Sequence, residues 1–171
     1  MTPTDTPGDV LVAGVGNVLL GDDGFGVQVA HRLSASPLPE RVRVADFGVR
    51  ALHLAFELMN PYESVILLDA LARGAAPGTL FVIEPSLEGL DEGPAPDAHG
   101  LHPADVLRMA RALGARLDHV RIVGCEPAEL DERIGLSEPV ERAVEEAVRI
   151  VHDLLRERPA QQGRQSATGQ E

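Results

Sequence analysis

The sequence predicts a three-layer α/β/α sandwich around a mostly parallel sheet, and three observations support this fold class. Apolar segments of strand length alternate with segments of helical periodicity, which is the order of an α/β fold. Residues 64–70 form an apolar run closed by an acid, as expected of a central strand covered on both faces. Residues 71–78 are too few for a helical crossover, so the fourth strand should run antiparallel to the third.

A glycine-rich turn joins the first strand to the first helix. Apolar residues leading into the turn predict a strand at 9–15, and apolar periodicity beyond it predicts a helix at 24–33. The centre of the turn carries Asp22 and Asp23. A phosphate-binding loop would offer backbone amides there and no negative charge, so the turn indicates a cation rather than a phosphate.

The later elements follow from composition and spacing. Apolar runs bounded by turn residues predict strands at 41–46, 64–70, 79–84 and 118–124. Helical composition predicts helices at 51–59 and 103–113, the second with proline at its start. Ser137 is expected to be the N-cap of a last helix, with acids in its first turn. The expected buried stripe of that helix consists of Val140, Val144, Val148, Val151 and Leu155.

The chain is predicted to be a single domain over residues 1–156. The polar segment 157–171 has no periodicity, and we expect it to be a disordered tail. The longest irregular stretch, 85–102, is rich in Gly, Pro and Asp. A loop of this length inside a compact domain is usually functional or mobile.

Composition narrows the class of partner. The formal net charge is -12, and all 15 basic residues are arginine. We therefore expect no nucleic-acid or membrane partner, and the lack of lysine excludes a Schiff base and a Walker-type phosphate site. One cysteine, Cys125, excludes an internal disulfide and fits a reducing compartment. Without a signal-peptide pattern or a membrane-length apolar run, a cytoplasmic location is expected.

Acidic side chains follow three of the predicted strands. Asp22 and Asp23 lie just past strand one, Asp46 ends strand two and Asp69 ends strand three. Ligands of open α/β sheets bind outside the carboxyl ends of the strands. These carboxylates are therefore expected at one edge of the sheet, where they would form the site.

A nucleotide site is the first interpretation to test. The dinucleotide fingerprint needs a third glycine after Gly14-x-Gly16, and Leu19 holds that place. Asp46 at the end of strand two would suit a ribose, but Asp22 and Asp23 would repel a pyrophosphate. A nucleotide cofactor is therefore not expected.

A metal site is the second interpretation. Asp23, Asp69 and a histidine of the long loop, His99 or His102, would provide two carboxylates and an imidazole. This ligand set suits a borderline divalent ion such as nickel or zinc and does not select between them. For Asp22, a simple role as a turn or helix-capping residue is the alternative.

Serine or cysteine peptidase chemistry finds no support in the sequence. There is no Gly-x-Ser-x-Gly elbow, and no histidine is near Cys125 in the chain to activate its thiol. Cys125 is expected to be a structural thiol at a strand end.

Several motifs follow one another in order between residues 9 and 155. They are Gly14-x-Gly16-Asn17-x-Leu19-x-x-Asp22-Asp23-Gly24-x-Gly26, Asp46-x-Gly48, Val65-Ile66-Leu67-Leu68-Asp69-Ala70, Pro77-Gly78, His99 six residues before Asp105, Val123-Gly124-Cys125-Glu126-Pro127 and Gly135-Leu136-Ser137-x-Pro139-Val140. Together they resemble the nickel-iron hydrogenase maturation endopeptidases.

The resemblance implies a phosphorylase/hydrolase-like sheet of strand order 2-1-3-5-4 with strand four antiparallel. It implies an aspartyl-type endopeptidase that removes a C-terminal extension from the nickel-iron hydrogenase large-subunit precursor after nickel insertion. Nickel would be supplied by the substrate. The metal ligands and catalytic residues of the family carry over onto Asp23, Asp69 and His99. His102 does not hold the matching place relative to Asp105.

The mechanism stays open at this point. The metal could activate the scissile carbonyl or a water, or it could only position the peptide. Asp22 or Asp46 could accept a proton without binding the metal. The family usually has threonine where this chain has Val49, and the segment with Arg50 and His53 could select the precursor. A non-catalytic, nickel-sensing binding module or chaperone is the alternative function, and a monomer is expected.

Overall fold

The computed structural model describes residues 9–90 and 102–157. The strands are β1 Val10–Val15, β2 Val42–Gly48, β3 Ser64–Ala70, β4 Leu80–Ile83 and β5 Val120–Cys125. The helices are α1 Phe25–Ser34, α2 Ala51–Glu57, α3 Pro103–Ala112 and α4 Glu138–Arg156, and a short 3-10 helix, Gly21–Gly24, precedes α1. His99 and residues 158–171 of the expected tail lie outside the described residues.

One five-stranded sheet has the strand order β2-β1-β3-β5-β4. β1 pairs in parallel with β2 and β3, and β5 pairs in parallel with β3. β4 pairs with β5 antiparallel. The short link between β3 and β4 therefore does what its length predicts, because the chain turns back at the edge of the sheet without a crossover helix. The predicted strand order is confirmed.

The two faces of β1 supply two separate cores. Val10 and Val12 pack with α1 and α4 on one face, whereas Leu11, Ala13 and Val15 pack with α2 and α3 on the other. All six residues of β1 are buried, which explains why the strand is apolar without alternation. The sheet is thus a middle layer, and its carboxyl edge is open to loops.

The glycine-rich turn lets α1 approach the sheet closely. A Cβ at Gly26 would lie 2.0 Å from the backbone oxygen of Leu68, and a Cβ at Gly16 would lie 1.9 Å from the backbone oxygen of Asp23. Gly16 also has a φ of +129°, which L side chains rarely adopt. No other residue fits these positions, so the glycines determine where Asp23 lies.

The predicted elements differ from the structure mainly at their ends. β2 extends two residues further than predicted, to Gly48, and α2 ends at Glu57 rather than at 59. Ser137 is the N-cap residue of α4, as expected, but its side chain caps no backbone N–H. Val148 is only partly buried in the stripe of α4. Within the described ranges, no helix is both long and apolar enough to cross a membrane.

Candidate active site

A cavity of about 490 Å³ opens at the carboxyl edge of the sheet. Its walls come from the segments that follow β1, β2, β3 and β5. The residues that line it include Asn17, Asp23, Val49, Asp69, His102 and Leu130. The cavity lies at the edge where the sequence predicted the site, because four parallel strands end there.

Asp23 is held in the cavity by the turn that the glycines allow. It lies in the 3-10 helix between β1 and α1. The backbone N–H of Asn17 donates a 2.7 Å hydrogen bond to Oδ2 of Asp23. Because the donor is a backbone group of the same turn, the carboxylate is oriented before any ligand arrives.

Asp69 lies near the end of β3, and its side chain is almost completely buried, with 3% exposure. Burial raises the pKa of Asp69 well above its usual value, and the negative charge of Asp23 raises it further, while the backbone N–H of Ala70 offsets part of the shift. Asp23 and Asp69 both line the cavity. The structure therefore brings together two members of the predicted ligand set.

The predicted ligand set also includes a histidine. His99, the expected ligand, lies outside the described residues. His102, which the motif spacing disfavours, lines the same cavity as Asp23 and Asp69. Over residues 9–90 and 102–157, no group of three or more His, Cys, Asp or Glu side chains is arranged to hold a metal.

Asp22 has a different environment from its neighbour Asp23. It is fully buried, and its carboxylate accepts hydrogen bonds from the backbone N–H groups of Ala128, Glu129 and Ser137 and from the Ser137 hydroxyl, at 2.7–2.9 Å. Burial alone would raise the pKa of Asp22, but these hydrogen bonds outweigh it and hold the pKa below its usual value. The geometry gives Asp22 a structural role, because it fastens segment 126–137 to the turn.

Asp46, the other accessory residue that the sequence suggested, is not among the residues that line the cavity. Its Oδ2 lies 3.0 Å from Nε2 of His31, and both side chains are partly exposed. The backbone oxygen of Asp46 accepts a hydrogen bond from Arg50, whose guanidinium lies over the Phe47 ring. These contacts fix the turn between β2 and α2, which carries Val49 into the cavity.

Two residues that shape the cavity were not assigned a role from the sequence. Glu126 is buried, and its carboxylate accepts hydrogen bonds from the backbone N–H groups of Arg73 and Gly74, which holds the segment after β3. Asn17 orients Asp23 through its backbone, which no side-chain pattern reveals. The signal in the sequence that could have pointed to Glu126 is its position directly after an apolar strand.

Cys125 is the structural thiol that the sequence predicted. It is buried, and burial together with the charges of Asp22 and Glu126 raises its pKa to about 12. A thiol with this pKa is not ionised at neutral pH and is a poor nucleophile. The structure therefore gives no support to cysteine peptidase chemistry at Cys125.

This fold and site define a class of protein before any comparison is made. A three-layer sandwich whose carboxyl edge opens into a cavity with two acidic side chains has the arrangement of an α/β enzyme. The comparisons with known proteins make this class specific.

The family model described as hydrogenase maturation protease matches residues 27–154. The hydrogenase 2 maturation protease of Escherichia coli is 33% identical over 155 residues, which cover 86% of this chain and 91% of that protein. Among solved structures, a hydrogenase 2 maturation peptidase from a Thaumarchaeota archaeon has a TM-score of 0.68 at 37% identity, covering 86% of this chain and 97% of its own.

A second solved structure agrees with this. The hydrogenase maturating endopeptidase HybD of Escherichia coli has a TM-score of 0.71 at 29% identity, with coverage of 87% of this chain and 93% of its own. The chain therefore belongs to the hydrogenase maturation protease family, whose members are peptide-bond hydrolases. The family and the enzyme class expected from the sequence are confirmed.

Proposed function

We propose that this enzyme removes the C-terminal extension of a nickel-iron hydrogenase large-subunit precursor after nickel has been inserted. Nickel carried by the precursor is recognised by Asp23, Asp69 and His99. The observation that carries the proposal is the pairing of Asp23 with the buried Asp69 in one open cavity. Membership of the maturation protease family supports the processing step.

The carboxylate pair supports a cation as the feature of the substrate that is read. Asp69 pays a desolvation penalty for its charge, and Asp23 adds repulsion. A divalent ion bound between them relieves both effects, because it neutralises the two charges at once. Carboxylate and imidazole ligands accept nickel, and thiolates of the precursor would fill the remaining positions.

The two carboxylates are arranged for different tasks. Oδ2 of Asp23 is engaged by the Asn17 N–H. Within the described part of the chain no donor is recorded for Oδ1, which is the oxygen that can meet the metal or a water. Asp69 belongs to the buried strand β3. Together they would position the metal and the scissile carbonyl, and either oxygen could receive a proton from an attacking water.

The site and its surroundings also support the expected partner and location. The cavity is open to solvent and is lined by several loops, as needed to admit a folded precursor's chain end. The one cysteine of the chain, Cys125, is a free thiol, which fits a reducing compartment such as the cytoplasm. No nucleotide is proposed, because the carboxylates occupy the turn where a pyrophosphate would lie.

The proposal is tested by mass spectrometry of the nickel-loaded precursor after incubation with the enzyme. The wild type should shorten the precursor at its C-terminus, and Asp23→Asn, Asp69→Asn or His99→Ala should leave it intact. Asp153→Asn on the outer surface of α4 is the matched acid control and should cut normally. Nickel-free precursor should stay uncut.

Each other result contradicts part of the proposal. A stable complex with unchanged precursor mass would identify a nickel-sensing binding module instead of a peptidase acting on this substrate. Loss of cutting with His102→Ala and not with His99→Ala would replace His99 by His102 in the ligand set. Equal cutting of nickel-free precursor would remove nickel as the signal.

A further inference from the structure

α2 carries exposed apolar side chains, whereas the exposed side of the long helix α4 is charged. Leu52 is 55% exposed, Phe56 51% and Met59, just beyond the helix, 48%. The spacing of these three residues, four and three apart, places them on one stripe. By contrast, α4 presents Glu141, Arg142, Glu145, Glu146 and Arg149 on its outward face.

The residues of this stripe are not part of the hydrophobic core. The inward face of α2 is already filled by its own apolar residues, with Leu54 and Ala55 fully buried and Leu58 nearly so. A helix that is apolar on both sides exposes hydrophobic surface that folding does not require. The three residues of the stripe carry no charge, although the chain has a net charge of -12.

The stripe is continuous with the cavity that holds the carboxylates. Val49, 58% exposed, lines that cavity and also a neighbouring cavity of about 270 Å³. The second cavity is formed by residues 49–53 and by Met109 of α3, so it begins at the mouth of the site and runs onto α2. The stripe and the cavity that holds Asp23 and Asp69 therefore meet at Val49.

We propose that the stripe of Val49, Leu52, Phe56 and Met59 is the docking surface for an apolar segment of the hydrogenase precursor next to the bond that is cut. This proposal rests on the proposed function. A helical rise of about 1.5 Å per residue gives α2 itself a length of roughly 10 Å, the span of about three extended residues. The contact would hold the precursor while nickel is presented to Asp23 and Asp69.

The area of the stripe favours this occupant over a second copy of the chain. Four side chains about half exposed present on the order of 400 Å². A stable protein–protein interface buries about 800 Å² on each partner. The surface suffices to select and orient a peptide segment that is released after cutting, and it falls short of what a lasting dimer needs.

The test uses the full-length enzyme and nickel-loaded precursor. The double variant Leu52→Ser/Phe56→Ser should raise KM about tenfold and leave kcat within about twofold of the wild type, since loss of ground-state docking acts on KM. Phe56→Leu, which keeps an apolar side chain, should retain the wild-type KM. The matched control is Val82→Ser, which removes a side chain of 48% exposure from β4 at the opposite edge of the sheet and should change neither constant.

The remaining outcomes separate this proposal from the one on which it rests. Wild-type KM in the double variant, with normal cutting, would overturn the docking surface and leave the proposed function standing. If the wild type does not cut the precursor, the proposed function fails, and equal precursor binding by wild type and double variant would then reject the docking surface as well. A wild-type dimer that the double variant converts to a monomer would overturn the proposal in favour of self-association.

Discussion

Asp23 raises the pKa of Asp69, so the two carboxyls of the cavity are electrostatically coupled before any ligand binds. The coupling comes on top of burial, which is the larger cause. Both effects disfavour the charged form of Asp69, so ionisation of this carboxyl lowers the stability of the fold. Asp69, which the proposed function requires, is therefore a residue whose charge destabilises the fold.

Asp69→Asn should stabilise the protein at neutral pH while abolishing cleavage. The folded-state pKa of Asp69 lies above its unfolded value, so between the two values the folded state binds more protons. The free energy of unfolding of the wild type then falls as pH rises through that interval. Asparagine removes this slope, and we expect a gain of about 0.5–2 kcal/mol at pH 7.

Urea unfolding at pH 4 and pH 7 measures this difference. The advantage of Asp69→Asn should widen from the lower to the higher pH. An advantage that is equal at both pH values, or a variant less stable than the wild type at pH 7, would show that the Asp69 charge is not the cause. Asp153→Asn is again the exposed control and should follow the wild type.

Asp22→Asn should do the opposite and destabilise the fold. The amide cannot accept all of the hydrogen bonds that the carboxylate receives from Ala128, Glu129 and Ser137, and it turns a donor toward buried donors. Breaking such a buried, charge-assisted network costs about 3–5 kcal/mol. Ser137→Ala removes one donor and should cost about 1 kcal/mol.

The pH dependence distinguishes Asp22 from a catalytic acid. The pKa of Asp22 is lower in the folded state than in the unfolded state, where it is near 4. The ionised Asp22 therefore stabilises the wild type at pH values above the unfolded-state pKa. This stabilisation is lost as the pH falls through the folded-state pKa. Thermal unfolding across acid pH should show a smaller acid-induced decrease for Asp22→Asn than for the wild type. Parallel curves would contradict the fastening role.

Gly16→Ala should displace Asp23 and stop cleavage. The added Cβ would lie 1.9 Å from the backbone oxygen of Asp23, so the turn has to move. Gly74→Ala is the matched control, because Gly74 also has a positive φ, of +79°, but nothing lies within 4 Å of its Cβ. The control should lose about 1 kcal/mol of stability from strain alone and keep its activity. Cleavage assays of both variants decide the matter, and an active Gly16→Ala enzyme would contradict the steric argument.

The sequence predicted the parts of this structure that local rules determine. The length of link 71–78 gave the antiparallel edge strand, and the unbroken apolar run before Asp69 gave a strand buried on both faces. Acids placed at three strand ends predicted the edge that holds the site. Each inference needed only neighbouring residues and the topology of α/β sheets.

The roles that the sequence could not predict depend on contacts between distant residues. The partners of Asp22 lie more than 100 residues further along the chain, so nothing near it showed that its carboxylate would be saturated. The hydroxyl of Ser137 was expected to accept a hydrogen bond from the first turn of α4, but it caps no backbone N–H and instead donates a hydrogen bond to the distant carboxylate of Asp22. Glu126 was missed for the same reason, since its donors Arg73 and Gly74 belong to another segment.

Cys125→Ala should keep full activity, because the thiol takes no part in the reaction. Its pKa of about 12 means that almost none of it is ionised at pH 8, and it is fully buried at the end of β5. Iodoacetamide should therefore leave both the mass and the cleavage rate of the native wild type unchanged, and should label the thiol only after unfolding. The small cavity left by alanine should cost about 1 kcal/mol in urea unfolding. Inactivation of the native enzyme by the reagent, or loss of cleavage in a folded Cys125→Ala variant, would return the thiol to the mechanism.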